Sequence, residues 1–345
     1  MRRKTRIGLL AAALALLAGA SCAPSIAPRV GPDRPAEIRD DVLVMRDGAL
    51  LPYRRWVPDG PPKAAVIALH GFNDYSGAYR DLGPLLAAEG LLVVAYDQRG
   101  FGGTSMRGDW AGTEAMIRDL GTVTDLLRIA HPDVPVYALG ESMGGAVIMA
   151  ALGGHSPPRL DGAVLSAPAV WGRSTMSAWE RGLLTAAAHL APRIRVRPQT
   201  LPKRPSDNIE MLRRLYYDPM TIKETRIESA WGLTGLMDRA LESAPRLDGA
   251  LLVLYGKEDG IIPRGPTCRM LRALPDGPDG RRRWRLALYE NGYHMLFRDL
   301  NGGEVSADIA AWLVDPAAPL PGGAELGAGD NAPPLPEFCR NGDPD

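Results

Sequence analysis

The sequence predicts an α/β fold in which a mostly parallel sheet is covered by helices on its faces. Three observations carry this. Short apolar, β-branched runs recur at residues 65–69, 91–96, 136–139, 163–165, 251–255 and 284–289. Uninterrupted apolar runs of this length read as strands buried on both sides. Helical patterns lie between most of them, at 78–88, 113–130, 144–152 and 268–273. Alternating strand and helix implies right-handed crossovers and parallel pairing. At the front, runs at 42–45 and 51–57 flank Asp47-Gly48, a hairpin signal, so the sheet is expected to begin antiparallel.

One interval breaks the rhythm. From Trp171 to Arg246 no strand is visible, and helical patterns at 175–190 and 221–240 dominate. Residues 171–246 therefore read as a helical insertion over the sheet. Between the two patterns Arg193, Arg195, Arg197, Lys203 and Arg204 are interleaved with prolines. This stretch reads as a solvated connection or as a contact for anionic lipid head groups. The whole divides into a targeting segment at 1–22, a Pro- and charge-rich linker at 23–40, the α/β domain at 41–314, and a Pro/Gly-rich tail at 315–345.

Composition excludes several classes. Hydrophobic residues are 46% and charged residues 23% of the 345, which a packed core requires. Formal net charge is zero and aromatics are 6%, so neither a phosphate-binding surface nor a base-stacking platform is indicated. No HExxH and no paired Cys/His cluster occurs, and no metal or organic cofactor is expected.

At the N-terminus, Arg2, Arg3, Lys4 and Arg6 precede an apolar run from 7 to 17 and then Ala18-Gly19-Ala20-Ser21-Cys22. The run is short for a bilayer span and reads as an export signal. The cysteine after small residues resembles a bacterial lipoprotein signal, which implies lipidation of Cys22 and a membrane-anchored protein of the cell envelope facing the periplasm. The other reading is an ordinary signal peptide. With Cys22 set aside, Cys268 and Cys339 remain as an even pair, and an oxidising compartment permits a disulfide between them.

The chemistry starts at Gly140-Glu141-Ser142-Met143-Gly144-Gly145, directly after a strand pattern and opening a helix pattern. A serine on a sharp strand-to-helix turn exposes its hydroxyl at the sheet end. Serine needs a base, and of five histidines only His294 follows both this serine and a late strand-end acid. The acid comes from Gly256-Lys257-Glu258-Asp259-Gly260, where spacing leaves Glu258 and Asp259 both open. Two backbone N–H groups should hold the oxyanion. Met143 follows the nucleophile, and Phe72 follows His70-Gly71 at the end of an early strand. His70 reads as a support for that loop.

This set, with Tyr96-Asp97-Gln98-Arg99-Gly100-Phe101-Gly102 and Gly292-Tyr293-His294, resembles the monoacylglycerol lipase and lysophospholipase branch of the α/β-hydrolases, grouped with serine aminopeptidases. The resemblance spans about residues 41–313. It implies the α/β-hydrolase fold with a helical lid at 171–246, Ser142, Asp259 and His294 as triad, and Phe72 with Met143 as oxyanion donors. It also implies a small acyl ester or single-acyl lipid as substrate. Glu141 and Phe101 stand where the branch usually has histidine. Two other readings remain. One is an aminopeptidase-like hydrolase, needing an acid such as Glu180, Glu224, Glu228 or Asp238 for a free amine. The other is a non-catalytic binding module.

Overall fold

The computed structural model describes residues 23–197, 204–276, 283–326 and 335–340. Residues 1–22, read from the sequence as a targeting segment and including Cys22, lie outside the described residues. Nine strands form the main sheet: β1 (Glu37–Ile38), β2 (Val42–Val44), β3 (Leu50–Trp56), β4 (Ala64–Leu69), β5 (Leu91–Tyr96), β6 (Val136–Glu141), β7 (Gly162–Ser166), β10 (Ala250–Gly256) and β11 (Trp284–Tyr289). Their order is β1-β2-β3-β5-β4-β6-β7-β10-β11. From β5 to β11 every pair is parallel, while β1, β2 and β3 are antiparallel to their neighbours.

The parallel strands are buried on both faces because alternate residues feed two cores. Ala65, Ile67, Leu69, Ala138, Leu165 and Val253 point to one. Val66, Ala68, Leu139, Val164, Leu252 and Leu254 point to the other. The first core is covered by α2 (Thr113–Ala130), α3 (Met143–Leu152), α6 (Ile227–Ser243) and α7 (Arg264–Ala273). The second is covered by α1 (Leu82–Ala88) and α8 (Gly302–Val314). Near-continuous apolar strands follow from this two-sided cover.

Between β7 and β10 runs the insertion, with α4 (Ala178–Leu190), α5 (Ile209–Tyr217) and α6. It departs from the sequence reading in three ways. A two-stranded antiparallel ladder, β8 (Arg195–Val196) with β9 (Thr225–Arg226), lies where no strand was expected. The helix expected at 221–240 begins only at Ile227, because β9 occupies its start, and α5 was not anticipated.

The two flanks also depart from expectation. Residues 23–40, read as a linker, lie on the body. β1 pairs with β2, the amide of Ala27 donates to Trp110 O at 2.8 Å, and Ser25 donates through its hydroxyl to Glu228 Oε2 at 2.8 Å. After α8 the chain returns to the sheet edge, where the amides of Leu288 and Leu326 donate to Ala324 O and Leu286 O, each at 2.8 Å. Arg285 holds Glu325 with two hydrogen bonds, at 2.6 and 2.7 Å. An open backbone edge at β11 recruits whatever chain follows, whatever its composition. α9 (Glu337–Arg340) then carries Cys339, disulfide-bonded to Cys268 on α7 with 5.3 Å between Cα atoms.

Candidate active site

β4 sends the chain to β5 on one side, and β6 lies on the other side of β4. Strand order therefore reverses between β4 and β6, the place where a parallel sheet leaves a crevice at its carboxyl end. The turns leaving β4 and β6 are those that carry Phe72 and Ser142.

Ser142 sits between β6 and α3 at φ 52° and ψ −113°. Such backbone is costly for a residue with a Cβ, about 1–3 kcal/mol. It persists because the surroundings fix it. The amide of Ser142 donates to Ser166 O at 2.9 Å, and its carbonyl accepts from Ala146 and Ala169 at 3.1 and 3.0 Å. Close packing needs glycine nearby: a Cβ on Gly140 would lie 2.5 Å from Gly144 C, and one on Gly144 would lie 2.0 Å from Leu69 O. Asn73 and Ala167, the other described non-glycine residues with positive φ, flank the same crevice.

Gly71 touches the serine turn, since a Cβ there would be 3.5 Å from Ser142 Cβ. This brings the Phe72 amide beside the serine turn, and that amide donates to no backbone oxygen among the described residues. The amide of Met143 is the first of α3, one of the N–H groups a helix leaves without an internal acceptor. His70 supports the loop. Its Nδ1 hydrogen bonds Gly71 O at 2.8 Å, and its Nε2 accepts from the Gln98 amide at 3.0 Å. Burial holds its pKa below the ordinary value, so it is neutral and fully used.

Asp259 follows β10 and His294 follows β11. His294 Nδ1 lies 2.8 Å from Asp259 Oδ2. The other oxygen, Oδ1, accepts from the amides of Ile261 and Ile262 at 2.8 and 3.0 Å. Both side chains are buried, whereas Glu258 is exposed and contributes only its amide, to Gly292 O at 2.9 Å. The choice that spacing left open thus falls on Asp259. Burial opposes a charge on His294. The charge and hydrogen bond of Asp259, with the charge of Glu141, outweigh it, and the imidazole pKa lies above its ordinary value.

A buried ion cluster escaped the sequence reading. Arg298, four residues after His294, donates to Asp74 Oδ2 at 2.8 Å and through Nε to Glu141 Oε1 at 3.3 Å, and its Nη2 contacts Glu141 Oε2 closely. The one signal was Glu141 itself, an acid inside a turn that must be buried and so requires a cation.

The four acids considered for an amine site are engaged elsewhere. Glu180 closes a capping box with Ser177, Glu224 pairs with Arg197, Glu228 accepts from Ser25, and Asp238 accepts from the Ser174 amide at 2.8 Å.

Comparison with known proteins agrees with this geometry. The profile of the family described as serine aminopeptidase, S33 (Hydrolase_4) matches residues 60–301. The monoacylglycerol lipase of Mycolicibacterium smegmatis is 29% identical over 270 residues, covering 77% of this chain and 94% of that one. The monoglyceride lipase of Rattus norvegicus is 27% identical over 280 residues, covering 79% and 89%. The crystal structure of a Paleococcus ferrophilus monoacylglycerol lipase shares the fold at a TM-score of 0.65 and 23% identity, over 76% of this chain and 98% of that one. The chain belongs to the serine aminopeptidase S33 family of α/β-hydrolases, in its monoacylglycerol lipase branch.

Proposed function

We propose that this ester hydrolase works through Ser142 as nucleophile, His294 as base and Asp259 as its orienting acid, on single-acyl lipids such as monoacylglycerols. The observation that carries the reading is His294 held 2.8 Å from a buried Asp259 at the sheet end where Ser142 occupies its strained turn. With Nδ1–H donated to Asp259, Nε2 is left as the base. It takes the Ser142 proton as Oγ attacks the ester carbonyl. Asp259 offsets the imidazolium charge, and the amides of Phe72 and Met143 receive the oxyanion. His294 then gives its proton to the departing alcohol. Water, deprotonated by His294 in turn, releases the acid from the acyl-enzyme.

A lipid substrate is supported by the relatives and by α4. Trp179, Leu183, Ala186 and Leu190 are all exposed. They fall within an arc of about 60° at 3.6 residues per turn. Ala188, the buried residue of α4, lies on the opposite side. An outward apolar stripe on an exposed helix suits a lipid–water interface. Export and lipid anchoring through Cys22 belong to the same proposal and rest on the N-terminal pattern. The engagement of Glu180, Glu224, Glu228 and Asp238 weighs against an amine-recognising peptidase.

The test reacts the mature protein with an alkyl fluorophosphonate, maps the adduct by mass spectrometry, and assays monoacylglycerols, lysophospholipids and aminoacyl amides. Labelling at Ser142 that vanishes in Ser142→Ala, with turnover of the single-acyl lipids, is the expected result. A folded protein unlabelled at Ser142 would mean a binding module. Turnover of short soluble esters alone would remove the lipid substrate.

A further inference from the structure

We propose that Arg298 is a positioning residue that clamps three loops of the active site into register through Glu141 and Asp74. The proposal rests on Ser142 and His294 having the roles given above, and it adds a residue touching neither the reacting atoms nor the triad.

Each partner of Arg298 belongs to a different loop. Asp74 stands two residues beyond Phe72, Glu141 immediately before Ser142, and Arg298 four residues beyond His294. One guanidinium therefore holds the oxyanion loop, the nucleophile turn and the base loop at once. Its fork is used in full: Nη1 on Asp74, Nε and Nη2 on Glu141. The side chains of Arg298, Glu141 and Asp74 are only 6%, 2% and 6% exposed. A planar, permanently charged fork in a dry site fixes angle as well as distance, which lysine cannot do. Asp74 Oδ1 also accepts from the adjacent Tyr75 amide at 2.9 Å, which fixes the carboxylate within its own loop.

The base loop has few other ties to the nucleophile turn. Its other hydrogen bonds run to the loop after β10, through His294 on Asp259 and the Glu258 amide on Gly292 O, and to the insertion, where the Met295 amide donates to Pro205 O at 2.9 Å and Asn208 Nδ2 donates to Arg298 O at 3.0 Å. Beside the cluster stand neutral His70, Tyr79 donating to Leu69 O at 2.7 Å, and Asp299, bound by Ser206 and the Tyr293 amide. Besides Asp259, the charges acting on His294 are those of Glu141, which favours imidazolium, and Arg298, which opposes it.

The experiment uses the full mature chain, with the parent's turnover and Ser142 labelling establishing the reading beforehand. Arg298→Met should lower kcat about 10- to 100-fold with KM within about twofold, as misplacement of reacting groups by an ångström does. Arg298→Lys should fall between. The double variant Glu141→Gln/Arg298→Met removes one of the two buried carboxylates that Arg298→Met leaves uncompensated, and should regain part of the thermal stability lost in Arg298→Met while kcat stays low. Glu141→Gln alone should move the acid limb of kcat/KM to lower pH. If Arg298→Met does not fold, Arg298→Lys and Glu141→Gln decide. The proposal is overturned by kcat within about twofold of the parent in the folded Arg298 variants, by kcat recovering with stability in the double variant, or by an unmoved acid limb in Glu141→Gln. Any of these with the parent labelled at Ser142 leaves the triad reading standing.

Discussion

Two histidines at the crevice show how environment divides labour. His70 has both ring nitrogens engaged and is held neutral by burial. His294 gives one nitrogen to Asp259, and its pKa is raised despite burial because that carboxylate and Glu141 favour the imidazolium. A base must be neutral to act, so activity should fall as pH drops through this raised value. Asp259→Asn removes the chief raising influence. The acid limb of kcat/KM should then move to lower pH, while kcat at the plateau falls by about 10⁴ as the productive tautomer is lost. A pH–rate series on both proteins checks this; an acid limb that stays in place would show that another group sets it. The strand-to-helix turn at Ser142 and the strand-end positions of His294 and of the pair Glu258/Asp259 were legible because chain order and strand-end glycines constrain them. The choice between the two acids was not, since it depends on burial, and only Asp259 is buried.

The parallel strands were legible because helices on both sides leave them apolar throughout, as in β4 and β5. Elements whose existence depends on a distant partner were not. β1, β8 and β9 have two residues each, too few to show a period, and exist through pairing. Helix α5, Ile209–Tyr217, is amphipathic but only nine residues long, too short for its period to be told from an irregular apolar run by sequence alone. The tail is the clearest case. Its Pro/Gly content reads as irregular, yet it pairs with the β11 edge and carries α9, where Phe338 packs 6.0 Å from Tyr255 and Cys339 is linked to Cys268. The bond closes a loop of 71 residues. Cys268→Ser should cost about 2–4 kcal/mol, chiefly by freeing the unfolded chain. Urea unfolding should show a lower midpoint with kcat unchanged. An unchanged midpoint under non-reducing conditions would mean that the tail is held by packing alone.

The molecule is asymmetric about its sheet. The loops bearing Phe72, Ser142, Asp259 and His294 all leave the carboxyl ends of parallel strands, and the insertion contacts two of them. The oxyanion loop is tied to the insertion by Asn73, whose side chain donates to Thr225 Oγ1 at 2.6 Å and whose carbonyl accepts from Ile222 at 2.9 Å. Ser25, three residues beyond Cys22, binds Glu228 on α6, and α4 packs on the same helix. A lipid on Cys22 would thus hold the insertion near the bilayer, since three extended residues span about 10 Å. The stripe of α4 then has a direct consequence. Trp179 and Leu183 are 77% and 59% exposed, so replacing both by serine costs the fold little. Their transfer into an interface is worth a few kcal/mol together. Trp179→Ser/Leu183→Ser should therefore slow hydrolysis of monoacylglycerol presented in vesicles by about tenfold or more. Hydrolysis of a short soluble ester should stay within about twofold of the parent, because neither side chain enters the triad or its clamp. Both rates, measured on the same preparation, separate docking from chemistry. Equal loss on the two substrates would place the stripe in the folding of the insertion, and no loss on vesicles would leave the lipid surface to be met elsewhere on the molecule.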